Sequence, residues 1–70
     1  MENELKTTVA RFTSSCRAGG YGSTTLIMAL TATLRYPIEE RENALLRFTE
    51  MVEKWMPEEE LQEEIKKFLT

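Results

Sequence analysis

Histidine and aspartate are absent from this chain, and cysteine occurs once, as Cys16. A single cysteine cannot close an intramolecular disulfide. With only glutamates beside it, it cannot supply the four donors of a tetrahedral zinc site either. Without histidine as a base, a nucleophilic Ser or Cys triad cannot be assembled. An EF-hand loop needs aspartate or asparagine at fixed offsets, and no segment offers them. The chain is therefore expected to be non-enzymatic, with no metal and no cofactor.

Long hydrophobic runs are also missing. The longest apolar-rich stretch, Leu26 to Leu34, contains Thr31 and Thr33 and is far shorter than the roughly 20 residues that span a bilayer. The start, Met1-Glu2-Asn3-Glu4, is acidic, whereas a secretory signal begins basic and turns apolar. With the lone thiol, this predicts a cytoplasmic protein that does not enter membranes.

Positive charge is scarce where a nucleic acid would need it. The net charge of −3 divides unevenly: residues 1–36 carry Lys6, Arg11, Arg17 and Arg35 against Glu2 and Glu4, while residues 37–70 hold five cations against ten glutamates. A nucleic-acid binder presents a dense basic face, so nucleic acid is an unlikely partner. A helix-turn-helix would also need a second helix with polar side chains for base edges. Leu26-Ile27-Met28-Ala29-Leu30 has none, which leaves a DNA-binding regulator as the weakest reading.

What the chain does contain is helical periodicity throughout. Four helices are expected, at about 3–16, 24–35, 37–55 and 57–69, forming one domain over residues 1–70. In the first, Leu5, Val9, Phe12 and Cys16 recur at spacings of four, three and four, a single apolar stripe. Gly19, Gly20 and Gly22 end it and reverse the chain. Ser23, Thr24 or Thr25 is then placed to cap the second helix.

That second helix is apolar almost all round and is expected to be the central element. Met28, Thr31 and Arg35 share the face opposite Leu26 and Leu30. Tyr36-Pro37 and Met56-Pro57 stop one helix and start the next, since proline suits a first turn and disfavours helix before it. In the third helix Ile38, Ala44, Leu45, Phe48, Met51, Val52 and Trp55 form a broad apolar arc, and Leu46 falls on the glutamate-rich side. The fourth opens on Glu58-Glu59-Glu60 and closes near Lys66-Lys67, matching the helix dipole. Because the proline corners leave almost no loop, the expected fold is all-α, a compact angular array of four short helices rather than an up-and-down bundle.

Three features carry chemistry that must be weighed. The glycine loop runs into a helix N-terminus, where free amides hold anions. Gly20, Gly22, Ser23 and Thr24 would line such a site for a small anionic ligand. The P-loop lysine is absent, however, and the element before the loop is helical, so an ordinary chain reversal is the plainer reading. Cys16 aligns with Leu5, Val9 and Phe12, which favours a buried structural thiol. The glutamate clusters read as solubility and capping charges, because adjacent side chains point in different directions.

The apolar content remains. Trp55, four methionines and Leu46 exceed what a single core of this size obviously needs, and a domain this small buries only about 60% of its unfolded surface. Oligomerisation is a common remedy for so small a core. The sequence thus points to a non-catalytic protein-interaction or regulatory module that self-associates, as a homodimer, and binds or inhibits a larger protein. The expected contact residues are Met28, Thr31, Arg35, Leu46, Met51 and Trp55.

Overall fold

Helix ends govern this architecture. A computed structural model describes residues 2–69, with side chains from Glu4 onward. Its elements are α1 (Glu2–Ala18), α2 (Ser23–Leu34), α3 (Ile38–Glu53) and α4 (Glu58–Leu69). The described residues contain no strand, and the molecule measures 30 × 26 × 18 Å. The all-α array expected from the sequence is present.

α1 runs two residues past the expected Cys16 and closes with a Schellman motif. The Tyr21 amide donates to the Cys16 carbonyl at 3.0 Å and the Gly20 amide to that of Arg17 at 3.2 Å. Gly20 takes the left-handed conformation this motif requires, with φ of 75°. Gly19 is needed for a different reason: a Cβ there would sit 2.5 Å from the Tyr21 ring. α2 then starts from Gly22, whose carbonyl accepts from the Leu26 amide at 3.3 Å. No side chain caps it. Thr25, expected among the caps, instead donates its hydroxyl to Glu58.

The two prolines sit one residue outside the helices they start. Pro37 is the N-cap of α3, with ψ of 149°, and the Pro57 carbonyl accepts from the Leu61 amide at 2.9 Å. α3 ends at Glu53, two residues earlier than its apolar arc suggests. A second Schellman motif closes it, with Trp55 bonded to Val52 and Met56 to Met51. Here the left-handed residue is Trp55, at φ of 59°.

Side-chain contacts fix the directions of the helices. Arg11 and Ser15 of α1 reach Glu53 at the end of α3, while Leu5 and Val9 share a groove with Ile38 at its start. α1 and α3 therefore run the same way. Thr25 meets Glu58 and Gln62 near the starts of α2 and α4, and Arg35 meets the Leu69 carbonyl at their ends. This pair also runs in parallel. The molecule is thus two pairs of parallel helices, α1 with α3 and α2 with α4, joined where α2 packs on α3. Helices one removed in sequence pack most closely, α1 on α3 and α2 on α4. An up-and-down bundle would instead pack sequential neighbours.

The core comprises Phe12 and Cys16 from α1, Ala29 and Ala32 from α2, Leu45, Phe48 and Val52 from α3, and Leu61 and Ile65 from α4. α3 touches all three other helices and is the central element. The expectation that α2 holds that place is corrected: α2 packs mainly on α3 and α4 and turns its small residues inward. Thr25, Ala29, Ala32 and Thr33 are its buried positions, so close approach of the backbones replaces burial of large side chains. The buried hydroxyls of Thr33 and Thr49 stay satisfied within their own helices, donating to the Ala29 and Leu45 carbonyls.

Candidate interaction surface

Among the described residues four large apolar side chains remain on the outside: Ile27 (61% exposed), Leu34 (65%), Ile38 (61%) and Trp55 (68%). Their placement follows from the local structure just described. Because α2 buries Thr25, Ala29, Ala32 and Thr33, the opposite face, Thr24, Ile27, Thr31 and Leu34, points to solvent. Ile38 follows at the Pro37 corner. Trp55 sits beyond the last turn of α3, where the left-handed backbone directs it away from the apolar arc to which its spacing assigned it.

The six expected contact residues separate into two groups. Thr31, Arg35 and Trp55 are exposed, while Met28, Leu46 and Met51 are half-buried. Met28 and Met51 pack against the core; Leu46 lies outside that cluster. Arg35 follows α2 and donates to the Leu69 carbonyl at 2.9 Å, satisfying the end of α4. Trp55 lies past the far end of α3, a 16-residue helix roughly 24 Å long. The six do not form one patch. Ile27 and Leu34, which the sequence reading left out, are the larger apolar exposures on α2.

The glycine corner is organised around an anion, and that anion belongs to the chain. Glu58 Oε2 accepts from the Gly22 amide and from the Thr25 hydroxyl, each at 2.7 Å. Gln62 donates to the same Thr25 oxygen at 2.8 Å, and the Tyr21 hydroxyl donates to the Met56 carbonyl. The Gly22 amide, with help from Thr25, holds the Glu58 carboxyl below its ordinary range, although burial works the other way. Gly20, Ser23 and Thr24 are exposed beside it. An outside anion would have to displace Glu58 from the start of α2. The corner thus serves to join the starts of α2 and α4.

Cys16 is 2% exposed, and burial, with the nearby Glu58 charge, pushes its thiol up to about 11. A thiol in that state is a poor nucleophile. Glu53 receives two bonds from Arg11, at 2.6 and 3.0 Å, and one from Ser15 at 3.0 Å; Arg11 and then Ser15 lower its pKa. Among the described residues no cluster of three potential metal ligands occurs. A polar recess of about 120 Å³ by Tyr36, Glu40, Asn43, Ala44 and Arg47 falls below the roughly 300 Å³ at which ligand pockets begin. A groove of about 560 Å³ along Leu5, Lys6, Val9 and Ile38 is mostly apolar. No described helix is long and apolar enough to cross a membrane.

The fold and surface define a small all-helical protein whose largely charged surface exposes Ile27, Leu34, Ile38 and Trp55. Comparison with family profiles, with curated proteins and with solved structures returns no match.

Proposed function

We propose that this chain is a non-catalytic interaction module that associates with itself and docks on a larger protein. The observation that carries the docking role is Trp55. Glycine is the residue that ends a helix in the left-handed conformation at least cost, and a bulky side chain there is strained. Burial does not compensate, since the ring is 68% exposed. A tryptophan held outward on a fixed backbone, next to the end of a packed helix, has the form of an interface anchor. Its rigidity lowers the ordering cost of binding.

The experiment is a comparison of Trp55→Gly with the parent chain in affinity capture from the host cell, followed by mass spectrometry. The expected result is a partner retained by the parent and lost by the variant, at equal or higher thermal stability of the variant. Recovery of the same partners by both proteins would remove Trp55 from this role.

A further inference from the structure

α4 is held by residues far from it in sequence. It packs mainly on α2 and only lightly on its neighbour α3. Glu58 accepts from Gly22 and Thr25, Gln62 donates to Thr25, and Arg35 donates to the Leu69 carbonyl. Phe68 meets Phe48 edge to face. Every one of these partners lies within residues 1–53. The tether is short: residues 54–57 alone join α3 to α4, and Trp55 among them is left-handed. We propose that α4 exchanges between two copies of the chain, each α4 packing on the α2 of the other copy, with residues 54–57 opening as the hinge. The inference rests on the reading of the chain as a self-associating module, and it names how the copies join.

Geometry selects both the occupant and the element. The seat that α4 leaves holds the Gly22 amide, the Thr25 hydroxyl and the Arg35 guanidinium, beside the core that Leu61 and Ile65 complete. A second copy's α4 meets this seat with the contacts of the first, so exchange costs no native interaction outside the hinge. What changes is the hinge itself. It gives up the bonds of Trp55 to Val52, Met56 to Met51 and Tyr21 to Met56, which water takes over in an open segment. In return it sheds strain. The closed chain holds a bulky residue at φ of 59°, a conformation disfavoured for any side chain with a Cβ. In the open hinge Trp55 takes the extended region, which also suits Met56, the residue before Pro57. Each dimer is relieved twice, and short strained hinges are the ones that invite exchange. The α1–α2 corner offers no such gain, because its left-handed residue is Gly20. Among the described residues Trp55 is the only non-glycine with positive φ, so α4 rather than α1 is the element exchanged. Leaving the seat uncovers Leu61 and Ile65, so exchange is slow and passes through opened chains.

The test is to refold the parent, Trp55→Gly and Trp55→Val from urea at protein concentrations up to the millimolar range, then size the products by sedimentation. The expected parent product is a monomer with a dimer fraction that rises with concentration and reverts slowly on dilution. Trp55→Gly relieves the closed chain and should weaken the dimer at least about tenfold. Trp55→Val keeps the strain without the ring and should hold the dimer at the parent level or above. That variant separates exchange, which needs only the strain, from partner capture, which needs the ring. Connectivity is read from Thr25→Cys with Gln62→Cys in a Cys16→Ala background, at two side chains that meet at 2.8 Å. On a denaturing gel the oxidised monomer should carry the bond within the chain, and the oxidised dimer between chains. A dimer bonded within each chain would overturn exchange and leave self-association standing. A Trp55→Gly dimer as tight as the parent's would overturn hinge strain as the driving force. A parent that refolds only to monomer at every concentration would overturn exchange and self-association together.

Discussion

At the scale of single residues, Trp55 and Gly20 make an instructive pair, because the same motif holds both. Each is the left-handed residue after a helix, and glycine is the type that tolerates this without strain. Trp55→Gly is therefore expected to stabilise the isolated protein by about 1 kcal/mol, the strain being of order 1–3 kcal/mol with some loss of ring contacts set against it. Urea unfolding would register this as a higher midpoint with an unchanged slope. A lower midpoint would mean that the ring contributes more to the fold than its exposure implies. The reverse holds in the core. Phe12 and Phe48 are fully buried, and Phe48 meets Phe68 edge to face with centroids 5.2 Å apart. Truncating either to alanine costs roughly 3–5 kcal/mol. A chain of this length holds only about 4–10 kcal/mol in all, so Phe48→Ala should lose roughly a third or more of it, read as a much lower thermal midpoint by circular dichroism. The periodicity of α3 made Phe48 legible as core. It misplaced Trp55, because the apolar arc continues in register past the point where the backbone leaves the helix, and no glycine marks that point.

At the scale of elements, the sequence announces most helix ends and leaves one helix without orientation. Proline and glycine fix φ or free it, so the corners at Gly20, Pro37 and Pro57 follow from local chemistry alone. α2 is different. A helix with apolar residues on every side has no hydrophobic phase, and only packing decides which face turns in. The signal that could have settled it is size: Thr25, Ala29, Ala32 and Thr33 are spaced to form a small-residue face suited to close approach. The carboxylate at the start of α2 was hidden as well, since Glu58 arrives from α4, far along the chain. That contact and the Arg11–Glu53 contact make the fold sensitive to acid. Both carboxyls have pKa values lowered from the ordinary 4.5 by the native structure. As pH falls below 4.5 the unfolded chain takes up protons first, so the stabilisation is complete above that pH and is lost as pH drops through the lowered values. The urea midpoint should hold from pH 7 to about 5 and decline below 4.5. Glu58→Gln should start lower at pH 7 and decline less steeply; a variant curve parallel to the parent's would show that Glu58 has no part in it.

At the scale of the whole molecule, neither parallel pair has a core of its own. The α1–α3 pair contributes Phe12, Cys16, Leu45, Phe48 and Val52, and the α2–α4 pair contributes Ala29, Ala32, Leu61 and Ile65. α2 packs on α3 as well as on α4, so separating the pairs exposes both halves of one cluster. Unfolding should then be a single cooperative event. Cys16 offers a direct probe because it is the only cysteine and lies inside that cluster. Its thiol is raised to about 11 in the native state against an ordinary 9.0, which leaves little thiolate at pH 8 and no path for a reagent. Opening the core lowers the pKa and admits the reagent together, so labelling tracks the open population. Pulse labelling of Cys16 across a urea series, at one protein concentration, should give the same midpoint as the loss of helical circular dichroism. If Cys16 instead became reactive at lower urea while most of the helix signal remained, α1 would be opening apart from the rest. α1 would then be a folding unit of its own.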